Sequence, residues 1–346
     1  MESKRQDGVK FDLSHGFPPE WGTSRLEKKI LTSFLRREQY DLVVNATWGM
    51  LDCLHPVTSK TSNKFEITRD LIDNHGVKNM LFFNFVDPLY DESLWYPILQ
   101  HCANKIGRQN VKTLGFIDTN KFRQDFSFQF WAVFNSLEFK VYFEEELMPE
   151  EFKNLYLCYN RKPTFHRKWL FEQFEKNKLL SKGIFTLGNE NPDKVMIFRH
   201  DTKTVPFIND NVHGNYNIPN DTLSLGPIDD WRQSFLIIVT ETDHNRSTAV
   251  PFLSEKIWKP LIGLRPFLVL GDKGTIRTLR DLGFETFNDF FGIGHDDAGV
   301  DEITRAIKNY AGNMYDDFEK LKPKLYHNRN RYFDFVEEQK KLLWDE

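Results

Sequence analysis

The sequence predicts an α/β fold of two doubly wound domains that face each other across a cleft. Three observations point there. Short apolar runs recur along the chain with stretches of helical periodicity between them, the pattern of parallel strands covered by helices. The series occurs twice, on either side of an acidic, proline-bearing stretch at 144–151 (EEELMPEE). The length, 346 residues, is too great for one ordinary core and suits two.

Residues 1–20 read as an irregular arm. Leu26, Ile30, Leu31, Phe34 and Leu35 recur at helical spacing and predict a helix over 24–39. Asp41–Ala46 (DLVVNA) predicts a buried strand. Met80–Val86 predicts a second, ending at Asp87-Pro88, and Val111–Ile117 a third, ending at Asp118. Helices are predicted at 65–74 and 92–106. The period at Phe128–Phe134 and Phe139–Phe143 does not separate helix from strand. Beyond the acidic stretch, Asn154–Tyr159 (NLYLCY) predicts a strand, 164–177 a helix and Gly183–Leu187 the next strand. Residues 188–230, rich in Asn, Asp, Pro and Gly, read as a long irregular insertion. Phe235–Thr240 (FLIIVT) is the clearest buried strand, followed by helix 254–263, strand 266–270 and helix 275–282. Helices at 301–311 and 315–343 finish the chain, with a break or kink expected at Pro323. The domains are thus expected at 1–150 and 151–320, with a terminal helix at 321–346 packing back towards the first.

Bulk composition narrows the partners. Hydrophobic residues make up 40% and charged residues 28%, a globular rather than disordered balance. A net charge of -4 lacks the basic surplus usual in proteins that grip duplex DNA. Cys53, Cys102 and Cys158 have no paired spacing, so free thiols and no zinc site are expected. The polar start (MESKRQDGVKFDLSHGF) and the lack of an apolar run of about 20 residues predict neither a leader nor a membrane span. A cytoplasmic location is the expectation.

In doubly wound sheets, ligands bind beyond the carboxyl ends of the strands. Several chemistry-bearing residues fall there. Asn160-Arg161-Lys162 follows one strand, Glu241 another and Gly271-Asp272-Lys273-Gly274 a third. Ser254-Glu255-Lys256 opens a helix, and Lys256 and Lys259 share a helical face. A helix N-terminus favours anions, the lysines add charge, and a glutamate accepts from sugar hydroxyls. Together they suit a nucleoside diphosphate. The same residues also fit a plain capped start, with Ser254 as N-cap and solvated lysines. The Arg161–Lys168 stretch fits either an anion clamp or a basic helix face. Asp87, Asp118 and Asp52, with His55 near the last, are the base candidates for a proton-abstracting step, and the residues do not choose among them. Asp229-Asp230 and Asp296-Asp297, with His295, are adjacent acids without metal-ligand spacing, so no metal is expected. No nucleophile motif occurs.

The stretch SEKIWKPLIGLRPFLVLGDKGTIRTLRDLGFETFNDFF (254–291), preceded by Glu241, resembles the C-terminal half of glycosyltransferase-like proteins common in phages, giant viruses and bacteria. The late HNRNRYFDF (His327–Phe335) resembles that family's terminal helix. The layout is similar to the donor half of fucosyltransferases and other enzymes with two facing Rossmann-like domains, the GT-B type. The resemblance covers about 50 residues closely and 154–187 more loosely, and says little of 1–150. It implies a hexosyl- or pentosyltransferase with a UDP- or GDP-sugar as co-substrate and no other cofactor. Glu255 would hold the ribose, Lys256 the diphosphate, and Arg161 would approach the phosphates. Arg161, Lys162, Glu241, Ser254, Glu255, Lys256, Lys259 and Gly271 form the implied donor set, and catalysis would be metal-independent. The acceptor would be a glycan, a small molecule or, for a viral enzyme in host cytoplasm, a modified base in DNA. A catalytically inactive glycan- or nucleotide-binding module on the same fold is the alternative. The family's usual acidic segment after "TF" is replaced here by Asn288-Asp289-Phe290-Phe291-Gly292-Ile293-Gly294.

Overall fold

The computed structural model describes residues 9–14, 29–33, 35–36, 39–46, 52–84, 92–115, 129–133, 151–160, 163–188, 194–198, 203–206, 228–246 and 251–344. The chain divides into two compact units: Met1–Phe130 with Gln339–Glu346, and Trp131–Glu338. Both are α/β and built on sheets with parallel strands.

In unit 1, β1 (Phe11–Leu13), β2 (Leu42–Asn45), β5 (Met80–Asn84) and β6 (Val111–Gly115) form a parallel sheet in the order β1-β2-β5-β6. The runs LVVN and MLFFN are buried at every position, which explains their lack of polar alternation. β3 (Asp52–Leu54) and β4 (Thr61–Asn63) pair antiparallel as a hairpin. The loop expected around Asp52 and His55 is therefore a strand and its turn. It escaped notice because Asp-Cys-Leu and Thr-Ser-Asn carry no apolar run. Asn63 then caps α1 (Lys64–Asn74), its side chain accepting from Glu66 N. Phe65, Ile67, Leu71 and Ile72 of α1 pack on the sheet beside Trp95, Ile98 and Leu99 of α2 (Glu92–Ile106). Each such buried side chain contributes about 1.5–3 kcal/mol. Residues 29–33 and 35–36 are helical, within the expected span.

Unit 2 holds a six-stranded sheet in the order β10-β9-β8-β7-β11-β12. Its strands are β7 (Asn154–Cys158), β8 (Gly183–Gly188), β9 (Lys194–Phe198), β10 (Lys203–Pro206), β11 (Ser234–Thr240) and β12 (Phe267–Leu270). β8, β7, β11 and β12 are parallel, while β9 and β10 add an antiparallel margin. This corrects the irregular reading of 188–230. KVMIF and KTVP are ordinary β-formers, but flanking Asn, Asp and Pro masked such short runs. Around the sheet lie α3 (Phe165–Lys176), α4 (Ile228–Arg232), α5 (Glu255–Ile262), α6 (Thr275–Asp281), α7 (Val300–Asn309) and α8 (Met314–Trp344). α8 runs on through Pro323, so of the break or kink expected there the break does not occur. Its buried face (Phe318, Leu321, Leu325, Tyr332 and Phe335) outweighs the one backbone bond that proline removes. Cys53, Cys102 and Cys158 are free thiols, and burial pushes the latter two up to about 12, so both are inert. No helix among the described residues is long and apolar enough to cross a membrane.

Strand order locates the ligand edge. From β7 the chain steps outward to β8, then returns across β7 to β11 and on to β12. The topological switch point therefore lies beyond the carboxyl ends of β7 and β11.

Candidate functional site

Asn160 and Glu241 stand at that switch point. The Thr240 hydroxyl donates to Asn160 Oδ1, and Asn160 N donates to Thr186 Oγ1 at 2.7 Å, tying β7, β8 and β11 at their ends. From α3, His166 Nε2 donates to the Glu241 carbonyl at 3.0 Å. Arg167 donates to the carbonyls of Thr240 and Glu241 at 2.9 and 3.0 Å. Both side chains are buried. Burial and the neighbouring Arg167 lower His166 to about 4, so its ring is neutral, stacked on His244 at 5.3 Å. These two basic residues are thus architectural, holding the strand end in place, rather than an exposed anion clamp.

The Glu241 side chain is 2% exposed, with one oxygen accepting from Ser254 Oγ and the other, Oε1, buried without a partner. Ser254 also caps α5, accepting from Lys256 N at 3.2 Å. Lys256 Nζ reaches Glu255 Oε1 at 2.6 Å and Ser254 Oγ at 3.3 Å. Glu255 and Lys259 are buried as well. The capped start and the charged cluster are therefore one structure: the cap serine joins two carboxylates and a lysine. Burial raises Glu241 from its ordinary 4.5 to about 7, against the pull of Lys256 and Ser254. Glu255 is just as buried, yet Lys256 and Lys259 hold it down at about 2. The ionisation of two carboxyls 14 positions apart in sequence is thus driven in opposite directions by burial and by the lysines.

Beside this cluster lies a cleft of about 190 Å³ at the carboxyl end of β12, lined by Trp169, His244, Gly271, Asp272, Lys273 and Asp297 among others. Gly271 links the two features. A Cβ there would press on Glu241 Cγ at 3.3 Å and Thr275 Oγ1 at 3.4 Å, so the strand end passes close to the Glu241 side chain. The cleft wall is acidic, but its acids are engaged. Asp272 binds Arg246 at 2.7 Å, Asp296 binds Arg280 at 2.7 Å, and Asp297 accepts from Gly274 N at 2.7 Å. Glu302 accepts from Gly299 N at 3.1 Å. The starts of α6 and α7 are therefore already met by the protein's own carboxylates, so this cleft suits hydroxyl and amino donors rather than phosphate. Lys273 stands exposed at its rim.

Of the residues expected to form the site, Glu241, Ser254, Glu255, Lys256, Lys259 and Gly271 come together at one edge of unit 2. Arg161, Lys162, Asp87 and Asp118 lie outside the described residues. Asp52 belongs to β3 of unit 1. Trp169, His244 and the Arg246–Asp272 pair went unnoticed in the sequence. Trp169 carried a signal: with Phe165 it makes an aromatic pair at helical spacing, rings 6.2 Å apart. In unit 1, Asn45 and Asn84 are buried at the carboxyl ends of β2 and β5, and Lys64 Nζ lies 3.4 Å from the Asn45 carbonyl.

Much of the remaining family-like pattern is architectural. Trp258 packs against Phe284, Tyr332 and Phe335 at 5.6–6.0 Å, so the W, GF and YFDF elements form one aromatic core. His327, Asn328 and Arg331 of α8 bond the backbone of the 282–285 turn. Arg265 is fully buried, donating to the carbonyls of Trp231, Ser234, Gly263 and Leu264 with Phe152 and Phe318 over its guanidinium.

Another cluster, His55, Asp70 and His75, brings three potential metal-ligand atoms within 4.8 Å of one another. Its hydrogen bonds are complete without a cation. His55 Nδ1 accepts from Val57 N and Thr58 N at 3.1 and 3.2 Å, so its proton sits on Nε2 and is donated to Asp70 at 2.9 Å. A cation at Nε2 would need the opposite tautomer.

The chain matches no family profile, no curated protein and no solved structure.

Proposed function

We propose that this chain is a glycosyltransferase of the GT-B type, taking a sugar from a nucleotide-diphosphate donor held by unit 2 and passing it to an acceptor held by unit 1. The observation that carries the reading is the Glu241–Ser254–Glu255–Lys256 cluster, set at the switch point of the second sheet beside a cleft of about 190 Å³. Lys256, partly exposed at the start of α5, is the cation that meets the diphosphate and stabilises the charge it gains as the sugar leaves. The unpartnered Glu241 Oε1 is free to bond the ligand. The nucleoside lies in the acid-walled cleft, its hydroxyl and amino groups towards the carboxylates and its base against Trp169. Gly271, shared by cleft and cluster, is where nucleoside gives way to phosphate. Neutralising the leaving group by side chains needs no metal. Asp87, Asp118 and Asp52 stay the base candidates of unit 1, with Asn45, Lys64 and Asn84 as polar groups for acceptor hydroxyls.

Thermal melting with a panel of UDP-, GDP- and TDP-sugars tests this. One donor is expected to stabilise the chain by about 2.7 kcal/mol at a hundredfold excess over its Kd. Lys256→Ala is expected to remove that shift, and the stabilising donor should be hydrolysed slowly without acceptor. No shift with any nucleotide would reject the reading, and binding without hydrolysis or transfer would favour an inactive binding module. A modified-DNA acceptor would reveal itself by a salt-sensitive gel shift.

A further inference from the structure

The segment in which this chain departs from the family pattern, Asn288–Gly294, builds the wall of a second cleft. Its volume is about 580 Å³, inside the range of about 300–1,000 Å³ usual for small-ligand sites. The wall is preformed. Asn288 is buried, and its Nδ2 donates to the carbonyls of His295 and Asp296 at 2.9 and 3.4 Å. Ile293 N returns to the Asn288 carbonyl at 2.9 Å, and Gly292 N to that of Asp289 at 3.0 Å. On this closed loop Phe290 is held 39% exposed, edge-on to Phe291 at 5.0 Å. A Cβ at Gly292 or Gly294 would meet nothing within 4 Å, so the loop leaves open space rather than filling it.

The polar groups of the lining set the chemistry of the occupant. Arg305 faces Glu302 at 3.5 Å, and Asp317 is paired with Lys320 at 2.9 Å while accepting from the Tyr310 hydroxyl at 2.9 Å. Charges are thus matched locally, leaving neither a cationic surplus for phosphate nor an anionic one for a metal ion. An exposed ring beside carboxylate, guanidinium and amide groups (Asn309 among them) suits a ring with an apolar face and hydroxyls at its rim. We infer that this cleft binds the neutral ring of a saccharide, with Phe290 against its apolar face. The site is separate from the donor cluster, touching the nucleoside cleft through Glu302, which lines both. It stands whether or not the chain transfers sugar.

Saturation-transfer NMR and calorimetry on the full chain test it, using neutral mono- and disaccharides (glucose, galactose, mannose, fucose, N-acetylglucosamine, lactose, maltose) and glucose 6-phosphate as the charged contrast. At least one neutral sugar is expected to bind. Phe290→Ala should weaken it about tenfold through lost ring contact. Gly294→Phe, which places a ring in the open space at a position without positive φ, should abolish it. Both variants are expected to keep the wild-type melting temperature and the wild-type response to nucleotides. No binding by any neutral sugar, binding that survives both variants, or stronger binding of glucose 6-phosphate than of glucose would overturn the inference.

Discussion

Glu241 and Glu255 both lie beside Lys256, yet burial and charge drive their ionisation apart. Glu241, raised to about 7, keeps a proton that the unfolded chain sheds near 4.5. Its contribution to stability is therefore present below pH 4.5 and is lost as pH rises towards 7. Glu255, lowered to about 2, behaves oppositely: its contribution is present above pH 4.5 and is lost as pH falls towards 2. Glu241→Gln removes the first term only. Urea unfolding of the wild type between pH 5 and 8 should show a decline on the order of 1–3 kcal/mol that is reduced in the variant. The acid-side loss below pH 4 should persist in both. Identical upper-range profiles would mean that Glu241 does not titrate there. Nucleotide affinity should also fall as pH rises through about 7 in the wild type, since ionising Glu241 adds a negative charge beside Lys256. The positions of these residues were legible in the sequence, because Glu241 follows an apolar run and Ser254-Glu255 reads as a helix start. Their opposite ionisation was not, since it arises when β11 and the N-terminus of α5 meet across 13 positions of chain.

At the scale of elements, periodicity revealed what was long or wholly apolar. β11, with seven buried residues, and helices 64–74, 92–106 and 165–176 lie close to their expected places. What it missed was short: β1 inside the arm read as irregular, the 52–63 hairpin and the β9–β10 margin. That α8 does not break at Pro323 follows from its packing face, which is invisible to a local rule. The family-like stretch contains two kinds of residue that a pattern cannot separate. Glu255 and Lys256 carry charge to the ligand edge, whereas Arg265, Trp258 and Phe284 hold elements together. Arg265 illustrates the second kind. Its guanidinium satisfies carbonyls of the α4 end, β11 and the turn after α5, and burial lowers it to about 9. Arg265→Met keeps the volume and strands those acceptors. An unfolding free energy lower by about 3 kcal/mol or more is expected in urea melts, each buried unmet group costing about 1–3 kcal/mol. A loss below about 0.5 kcal/mol, the scatter of ordinary surface changes, would remove Arg265 from that role.

At the scale of the whole molecule, the two α/β units differ in topology. In unit 2 the sheet reverses its strand order at β7 and β11, and the buried charges and the 190 Å³ cleft gather there. The described strands of unit 1 run in sequence order without such a reversal. That asymmetry is why residue pattern singled out one edge in the second unit and no single edge in the first: a switch point concentrates chemistry, and a monotonic sheet spreads it along an edge. The central claim, that a nucleoside diphosphate binds at the carboxyl edge of the second sheet, is tested most directly by hydrogen-exchange mass spectrometry of the full chain with saturating UDP, GDP or TDP. Slowed exchange is expected in peptides covering 241–246, 254–259 and 269–275 with one of these nucleotides, and little change at 52–74. Protection confined to unit 1, or none with any of the three, would contradict it.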